Sequence, residues 1–126
     1  MRLALEDAGL EPSQIDHVNA HGTGTPLNDV AEARAIEAVL GRAVPVVSTK
    51  GATGHMLGAA AAIEAVFALA AIARGQLPPS LHCEPRDAAV ALDLSCQARS
   101  VACQYVLSNA LAFGGSNASV VFGAAP

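Results

Sequence analysis

The stretch VNAHGTGTPLND, residues 18–29, joins a short apolar segment to a helix through a turn of glycine and threonine. Residues 15–20 alternate and include β-branched side chains, a pattern typical of a strand. Pro26 suits the first turn of a helix, which we expect over about residues 27–40. His21 stands where the strand ends and the backbone becomes irregular. In open α/β sheets, functional sites gather at this position, outside the carboxyl ends of the strands.

A second stretch repeats this plan. Residues 44–50 predict a short buried strand, residues 51–55 a glycine-broken turn, and residues 56–73 a long alanine-rich helix that ends near Gly75. The helix approaches the length of a membrane span, but it is weakly apolar and has Glu64 at its centre. We therefore expect a buried helix of a soluble protein, with no membrane contact.

The remaining elements complete a layered α/β domain, which we expect to occupy residues 1–126. A helix over residues 3–8 ends at Gly9, and the order αβαβα is followed by several strands. The later segments are a proline-rich connection at 76–87, strands within 89–95 and 103–113, a tight turn at 114–117 and a closing strand at 118–123.

Two histidines occupy matching positions in the two turns. His21 and His55 each follow a strand within a turn of glycine and threonine, and each precedes a helix. A lone histidine in a turn is usually structural or exposed, but neither connection needs a histidine for folding. A pair in matched turns therefore favours catalysis. His17 and His82 lack this setting, and we predict that each is structural or merely exposed.

Glu64 is an unusual residue for its position. It shares a helix face with small apolar residues three, four and seven positions away. A carboxylate on such a face is costly to bury unless it is paired. Lys50, at the end of the preceding strand, is an available partner. The alternative is that Glu64 reaches solvent at the helix edge.

The composition argues against several classes of function. A net charge of −4 and an aromatic content of 3% argue against nucleic-acid binding, which needs basic patches and stacking platforms. Cys83, Cys96 and Cys103 are odd in number and form no C-x-x-C pair, which argues against a metal site or a disulfide framework. With no signal-peptide pattern visible, we predict reduced, structural cysteines in a cytoplasmic protein that binds no metal.

Three stretches of the chain resemble successive signatures of one enzyme family. They are VNAHGTGTPLND, STKGATGHMLGAAAAIEAV and SNALAFGGSNASVVFG, and they resemble the β-ketoacyl-acyl-carrier-protein synthases, in particular the synthase II type. The resemblance spans residues 1–123 and implies the C-terminal half of a thiolase-like α/β fold with a mixed sheet.

The resemblance also implies an acyltransferase activity. In that family, an acyl thioester condenses with malonyl-acyl-carrier protein, with loss of carbon dioxide, to give a β-ketoacyl-carrier protein in fatty-acid or polyketide synthesis. It implies acyl carrier protein as a partner, a homodimer when intact, and no cofactor other than the carrier's phosphopantetheine. His21 and His55 match the histidines that promote decarboxylation and stabilise the enolate. Lys50 and Glu64 match the family's active-site lysine and the acid that pairs with it.

Further residues match family positions that contact the substrate. Thr23 and Thr25 match the threonines that hydrogen-bond the phosphopantetheine arm. Phe113 matches a phenylalanine whose backbone N–H helps form an oxyanion hole and whose ring gates the acyl pocket. Gly114 and Gly115 would let that loop bend closely around the substrate.

The chain departs from the family pattern in two respects. The nucleophilic cysteine of the family lies in the half that would precede Met1, and no cysteine here lies at a strand-to-helix elbow that would stabilise a thiolate. We therefore expect the chain alone to be inactive, as a fragment, one half of a split enzyme with a complementary chain, or a truncated remnant. Leu111 and Ala112 replace the Phe-Gly of many members, which leaves gate motion and acyl-chain preference open.

A second class of function is a non-catalytic partner that resembles a chain-length factor and shapes a pocket for an active synthase. Such partners tend to lose the histidines. This chain keeps both His21 and His55 together with Lys50 and Glu64, which favours the condensing enzyme.

Overall fold

The computed structural model describes residues 1–125. Its elements follow the predicted order of helices and strands. The α-helices are α1 (Arg2–Ala8), α2 (Pro26–Leu40), α3 (Lys50–Thr53) and α4 (Ala60–Arg74), and the strands are β1 (His17–Asn19), β2 (Pro45–Val47), β3 (Gln76–Leu77), β4 (Asp93–Leu94), β5 (Arg99–Ser100), β6 (Tyr105–Ala110) and β7 (Ala118–Gly123). Short 3₁₀ turns lie at Pro12–Gln14, Leu57–Ala59 and Phe113–Gly115.

The main sheet is mixed, with the strand order β4-β2-β1-β6-β7. Strand β1 pairs in parallel with both β2 and β6, and β2 pairs in parallel with β4. Strand β7 is antiparallel to β6, and β3 and β5 form a separate antiparallel pair. Because β1, β2 and β6 run in parallel, the turns that follow all three meet at one edge of the sheet.

Glycines end the helices where the sequence predicts. Gly9 and Gly75 follow α1 and α4 with φ of 65° and 60°, and Gly41 follows α2 with φ of 82°. Side chains with a Cβ rarely adopt this left-handed region, whereas glycine does so at little cost. Pro26 occupies the first turn of α2, as expected from its fixed φ.

The second histidine turn differs from the prediction. Lys50 does not end the strand but begins the short helix α3, and α4 begins only at Ala60 after a 3₁₀ turn. Gly54 (φ 73°) and Leu57 (φ 49°) both adopt left-handed backbone conformations. The chain therefore does not run as one helix from residue 56; the short α3 and the 3₁₀ turn Leu57–Ala59 precede α4, and His55 lies between these two.

Helices cover both faces of the sheet. On one face, Val18, Val46 and Leu107 pack with Leu5 of α1 and Ile36 of α2. On the other face, Val47, Leu77 and Ala71 of α4 form a smaller cluster. Neighbouring strand residues such as Val46 and Val47 serve opposite faces because side chains alternate along a strand.

The prediction of a buried alanine-rich helix holds for one face of α4 only. Glu64 and three alanines on that face are buried, whereas Val66 and Leu69 on the other are 61% and 51% exposed. By length and composition alone, the stretch Leu57–Arg74, with a mean hydropathy of 1.7, would be long and apolar enough to span a membrane.

The prediction of three reduced cysteines is wrong for two of them. Cys83 and Cys96 form a disulfide across 13 positions of sequence, with a Cα–Cα distance of 6.3 Å. The loop between them folds back on itself, since Arg86 Nη2 donates to the Leu94 carbonyl at 2.6 Å. That approach depends on the folded loop and not on cysteine spacing. Cys103 is the free cysteine among residues 1–125.

Candidate functional site

The two predicted histidines meet at the carboxyl edge of the sheet. His21 follows β1 and is buried, and His55 follows α3 and is exposed. Their ring centroids lie 5.3 Å apart with an interplanar angle of 82°. The parallel pairing of β1 and β2 brings the two turns together. The two rings are therefore in edge-to-face contact.

A buried carboxylate that the sequence analysis missed anchors the His21 turn. Glu32 of α2 is 5% exposed, and its two oxygens accept the backbone N–H groups of His21 at 2.8 Å and Gly22 at 2.9 Å. Asn109 Nδ2 also donates to Glu32 Oε1, at 3.1 Å. The available signal was helical spacing, because Glu32 lies four positions before the core residue Ile36 and so shares its face.

A pair of serines connects the two histidine turns. The Ser48 hydroxyl donates to the Gly22 carbonyl at 2.9 Å, and the Ser48 N–H donates to the Ser80 hydroxyl oxygen at 3.0 Å. Gly22 adopts φ of 42°, and an added Cβ would lie 2.5 Å from the Ser48 Cβ. Only glycine therefore permits the two turns to approach so closely.

Lys50 and Glu64 form the ion pair that the sequence predicted. Lys50 Nζ contacts Glu64 Oε1, and the two side chains are 5% and 3% exposed. The alternative of a solvent-facing Glu64 is therefore wrong. The Lys50 charge also acts on His21, whose pKa it lowers.

The protonation state of His21 follows from its surroundings. Burial, followed by the electrostatic effects of Lys50 and His55, lowers the pKa of His21 from 6.5 to about 4, and Asp29 partly opposes this shift. The ring is therefore neutral near pH 7. Among residues 1–125, the buried Nδ1 of His21 has no hydrogen-bond partner.

The tautomer of His55, in contrast, is set by a backbone group. The Leu57 N–H donates to His55 Nδ1 at 3.2 Å. A nitrogen that accepts this bond carries no proton, so the neutral ring has its proton on Nε2. His55 thus presents an N–H donor on the side of the ring away from its own backbone.

The residues predicted to contact the thioester lie in the turns that follow β1 and β6. The hydroxyl oxygens of Thr23 and Thr25 lie 3.0 Å apart and are exposed, so both can bond an incoming group. Phe113 lies in the turn after β6 and is fully exposed, and the next residue, Gly114, adopts φ of 76°. The structure thus places all three residues at the same edge as His21 without covering it.

A cavity of about 440 Å³ opens beside the two turns, within the size range of small-molecule sites. Polar residues of its lining include Thr23, Glu32, Lys50, His55 and Ser80. Within residues 1–125, no group of three or more histidine, cysteine, aspartate or glutamate side chains is arranged to hold a metal ion.

His17 lies in the core, where the sequence predicted a structural residue. Its Nδ1 lies 3.2 Å from the Pro45 carbonyl oxygen, which can only accept, so Nδ1 carries the proton. Burial lowers the pKa of His17 to about 4, partly opposed by the bond to Pro45. His17 is therefore a neutral part of the sheet and not of the site.

Comparisons with known proteins point to one family. The family model "Beta-ketoacyl synthase, C-terminal domain" matches residues 1–84. The 3-oxoacyl-[acyl-carrier-protein] synthase 2 of Synechocystis sp. is 44% identical over an alignment of 123 residues that covers 94% of this chain and 30% of that protein. The chain thus spans about 30% of the length of the curated relatives it matches.

Solved structures show the same relationship. The ishigamide ketosynthase/chain length factor superposes with a TM-score of 0.96 at 39% identity, covering 99% of this chain and 32% of that one. AntDE:AntF, a type II PKS acyl-carrier protein in complex with its ketosynthase bound to the hexaketide, gives 0.94 at 33% identity over 99% of this chain and 32% of that one. With its thiolase-like α/β fold and mixed sheet, the chain belongs to the β-ketoacyl synthase family, as part of its C-terminal region.

Proposed function

We propose that these residues supply the decarboxylation site of a condensing acyltransferase. The enzyme would join an acyl thioester to malonyl-acyl-carrier protein, giving a β-ketoacyl-carrier protein and carbon dioxide. The observation that carries the proposal is the pair His21 and His55, two imidazole rings 5.3 Å apart at the carboxyl edge of the sheet.

The chemistry needs donors that are already in place. When the malonyl group loses carbon dioxide, the electrons of the broken C–C bond pass into the thioester and form an enolate. The enolate oxygen gains negative charge, and fixed N–H donors lower the energy of that transition state. His55 offers Nε2–H because Leu57 occupies its Nδ1. His21 is neutral at pH 7 because its pKa is about 4, so its ring offers one neutral N–H as a hydrogen-bond donor.

The enolate carbon then attacks the carbonyl carbon of the acyl thioester. A new C–C bond forms, the C–S bond breaks, and the thiolate leaves and takes up a proton. We assign the acyl-bearing nucleophile to a part of the enzyme outside residues 1–125. Cys83 and Cys96 are bonded to each other, and burial and the Asp16 charge raise the pKa of Cys103 to about 11, which leaves almost no thiolate at neutral pH.

The remaining predicted residues have supporting roles in this proposal. Lys50, which is paired with the buried Glu64, carries a positive charge that helps keep His21 neutral. The exposed hydroxyls of Thr23 and Thr25 would bond the phosphopantetheine arm, and Phe113 would gate the acyl pocket and present its backbone N–H to the acyl oxygen.

The proposal includes the partners that the resemblance implies. They are acyl carrier protein, a complementary segment or chain that supplies the cysteine, and a second copy in a homodimer, with no cofactor besides the carrier's phosphopantetheine. The complex named for AntDE:AntF contains a carrier protein and its ketosynthase, which supports the first of these. A cytoplasmic location also stays a proposal. The expectation of reduced cysteines no longer supports it, because Cys83 and Cys96 form a disulfide, although transient, redox-sensing disulfides do occur in the cytoplasm.

A second candidate is a non-catalytic partner of the chain-length-factor type, or an inactive remnant. The name of the ishigamide neighbour includes a chain length factor, which supports the partner alternative. The presence of His21, His55, Lys50 and Glu64 in one site favours the condensing enzyme, because a subunit that only shapes a pocket has no use for neutral donors beside a buried ion pair.

The test is decarboxylation and condensation by the chain combined with the segment that carries the cysteine. His21→Ala and His55→Ala should each lower the rate of carbon dioxide release from malonyl-carrier protein by about 100- to 1,000-fold, the usual cost of losing one oxyanion donor. The control is Arg42→Ala, at a side chain that is 63% exposed and lies outside the cavity lining. Unchanged rates in the His21 variant would show that the proposal is wrong.

A further inference from the structure

The segment that follows β3, residues 78–97, includes the two-residue strand β4 and forms a loop closed by the Cys83–Cys96 disulfide. It contacts the site through one buried hydroxyl. Ser80 is 4% exposed. Its hydroxyl oxygen accepts the Ser48 N–H at 3.0 Å, and its own N–H donates to the Ser95 carbonyl at 2.9 Å. Ser95 directly precedes Cys96 in the chain. Ser80 therefore links the closed end of the disulfide loop to the turn that leads into Lys50.

The same contact extends to His21 through the two serines. The Ser48 hydroxyl donates to the Gly22 carbonyl at 2.9 Å, so two successive hydrogen bonds join the loop to the residue after His21. Both links are buried or partly buried, where hydrogen bonds are weakly screened and their loss leaves unpaired polar groups.

Backbone packing supports this contact. A Cβ at Gly51 would overlap the Leu81 carbonyl oxygen and approach the Leu81 carbonyl carbon to 3.0 Å. The loop backbone thus lies directly against α3, which leads to His55 four residues later. The loop touches the β2–α3 turn at Ser48 and the helix itself at Gly51, so its position restrains the segment that carries both Lys50 and His55.

We propose that the disulfide-closed loop is a redox-sensitive clamp on the histidine pair, with Ser80 as its positioning residue. A dithiol reductant would give two electrons and two protons to the Cys83–Cys96 bond, yielding two thiols and an oxidised dithiol. The loop would then lose its closure, and the Ser80–Ser48–Gly22 contacts would weaken. The consequence for condensation rests on the proposed function, whereas the clamp itself does not.

The test is amide hydrogen exchange of the full chain with and without dithiothreitol. The Ser48 N–H reports the clamp directly because Ser80 accepts it. On reduction its exchange should rise by at least about tenfold, as expected when a local opening becomes easier, whereas the amides paired between β6 and β7 should keep their rates. Ser80→Ala should produce the same rise in oxidised protein, and Ser80→Thr, which keeps the hydroxyl, should restore the slow rate.

The three cysteines provide matched controls. Cys96→Ser should exchange rapidly at Ser48 with or without dithiothreitol, and Cys103→Ser should keep the full response to the reductant. In NMR spectra, the ring carbon–proton signals of His55 should shift on reduction and in Ser80→Ala, but not in Ser80→Thr. Loosening of other parts of the fold would not produce this pattern.

Mass spectrometry confirms reduction by an added mass of two hydrogen atoms, and an unchanged exchange rate of the Ser48 amide after that reduction would refute the clamp. A thiol titration that finds three free cysteines without reductant would also refute it. Failure of the proposed function gives a different result, because His21→Ala would then leave carbon dioxide release unchanged whatever the exchange rate of Ser48.

Discussion

The buried pair Lys50–Glu64 gives the sharpest test of how the site is held. The substitution Glu64→Gln keeps the size of the side chain and removes its charge. Both side chains are at most 5% exposed, so the Lys50 ammonium would stay buried without a counter-charge. Removing one partner of such a pair costs about 3–5 kcal/mol. We expect about 3 kcal/mol, the lower end of that range, because the amide oxygen of glutamine can still accept a hydrogen bond.

The assay is urea unfolding of the full chain, followed by circular dichroism. With a urea m-value of about 1–3 kcal/mol per M for a small protein, the loss moves the midpoint by about 1 M or more. The matched control is Glu37→Gln, which removes the same charge from the pair with Arg42, whose side chains are 39% and 63% exposed. An exposed pair contributes about 0–1 kcal/mol, so the control should move the midpoint at most about a third as far.

A double variant separates charge burial from packing. Lys50→Met combined with Glu64→Leu removes both charges and keeps apolar volume, and it should recover most of the loss, since replacing a buried pair by apolar residues is often neutral or stabilising. If Glu64→Gln moved the urea midpoint no further than Glu37→Gln, the reasoning from buried charge would be wrong.

Three further outcomes follow from the structure. The pKa of buried His17 falls from 6.5 to about 4 on folding, so the unfolded chain binds more protons between these pH values. About 3 kcal/mol of unfolding free energy is therefore present above pH 6.5 and lost toward pH 4. Urea unfolding at a series of pH values should show this slope, and a His17→Gln variant in which the slope persisted unchanged would contradict the assignment. Gly51→Ala should lower the unfolding midpoint, whereas Gly58→Ala, at a site with open space for a Cβ, should not; equal midpoints would show that the loop does not pack against α3. Because its pKa is about 11, Cys103 should react with iodoacetamide at pH 8 about 100-fold more slowly than a thiol of pKa 9, and a rate near that of a free thiol would show that it is not shielded.

Several features of the site were predictable from the sequence because they depend on local rules. The turn around His21 is visible as strand, glycine turn and helix in the right order, whereas the short helix α3 before His55 was not predicted. The Lys50–Glu64 pair follows from the cost of an unpaired carboxylate on an apolar helix face. The same rule applies to Glu32, which shares a helix face with Ile36, but two acceptor bonds to a turn eleven residues earlier are invisible until the chain is folded.

Other features could not be predicted because they depend on distances between remote segments. The Cys83–Cys96 bond requires a loop that folds back on itself, and cysteine spacing carries no information on that path. The link from Ser80 to Ser48 spans 32 positions of sequence. The sequence predicted a buried α4, and only the packed helix shows that Val66 and Leu69 on its other face are exposed.

Read without its fold, the chain already shows where its helices end, since Gly9, Gly41 and Gly75 act through the backbone freedom of single residues. It also shows which side chains can carry chemistry, because strand, turn and helix periodicities place them on particular faces. The packed molecule alone sets the strand order β4-β2-β1-β6-β7, and with it the 5.3 Å between two imidazole rings. That distance arises from parallel pairing of strands remote in sequence, a through-space relation that no local pattern contains.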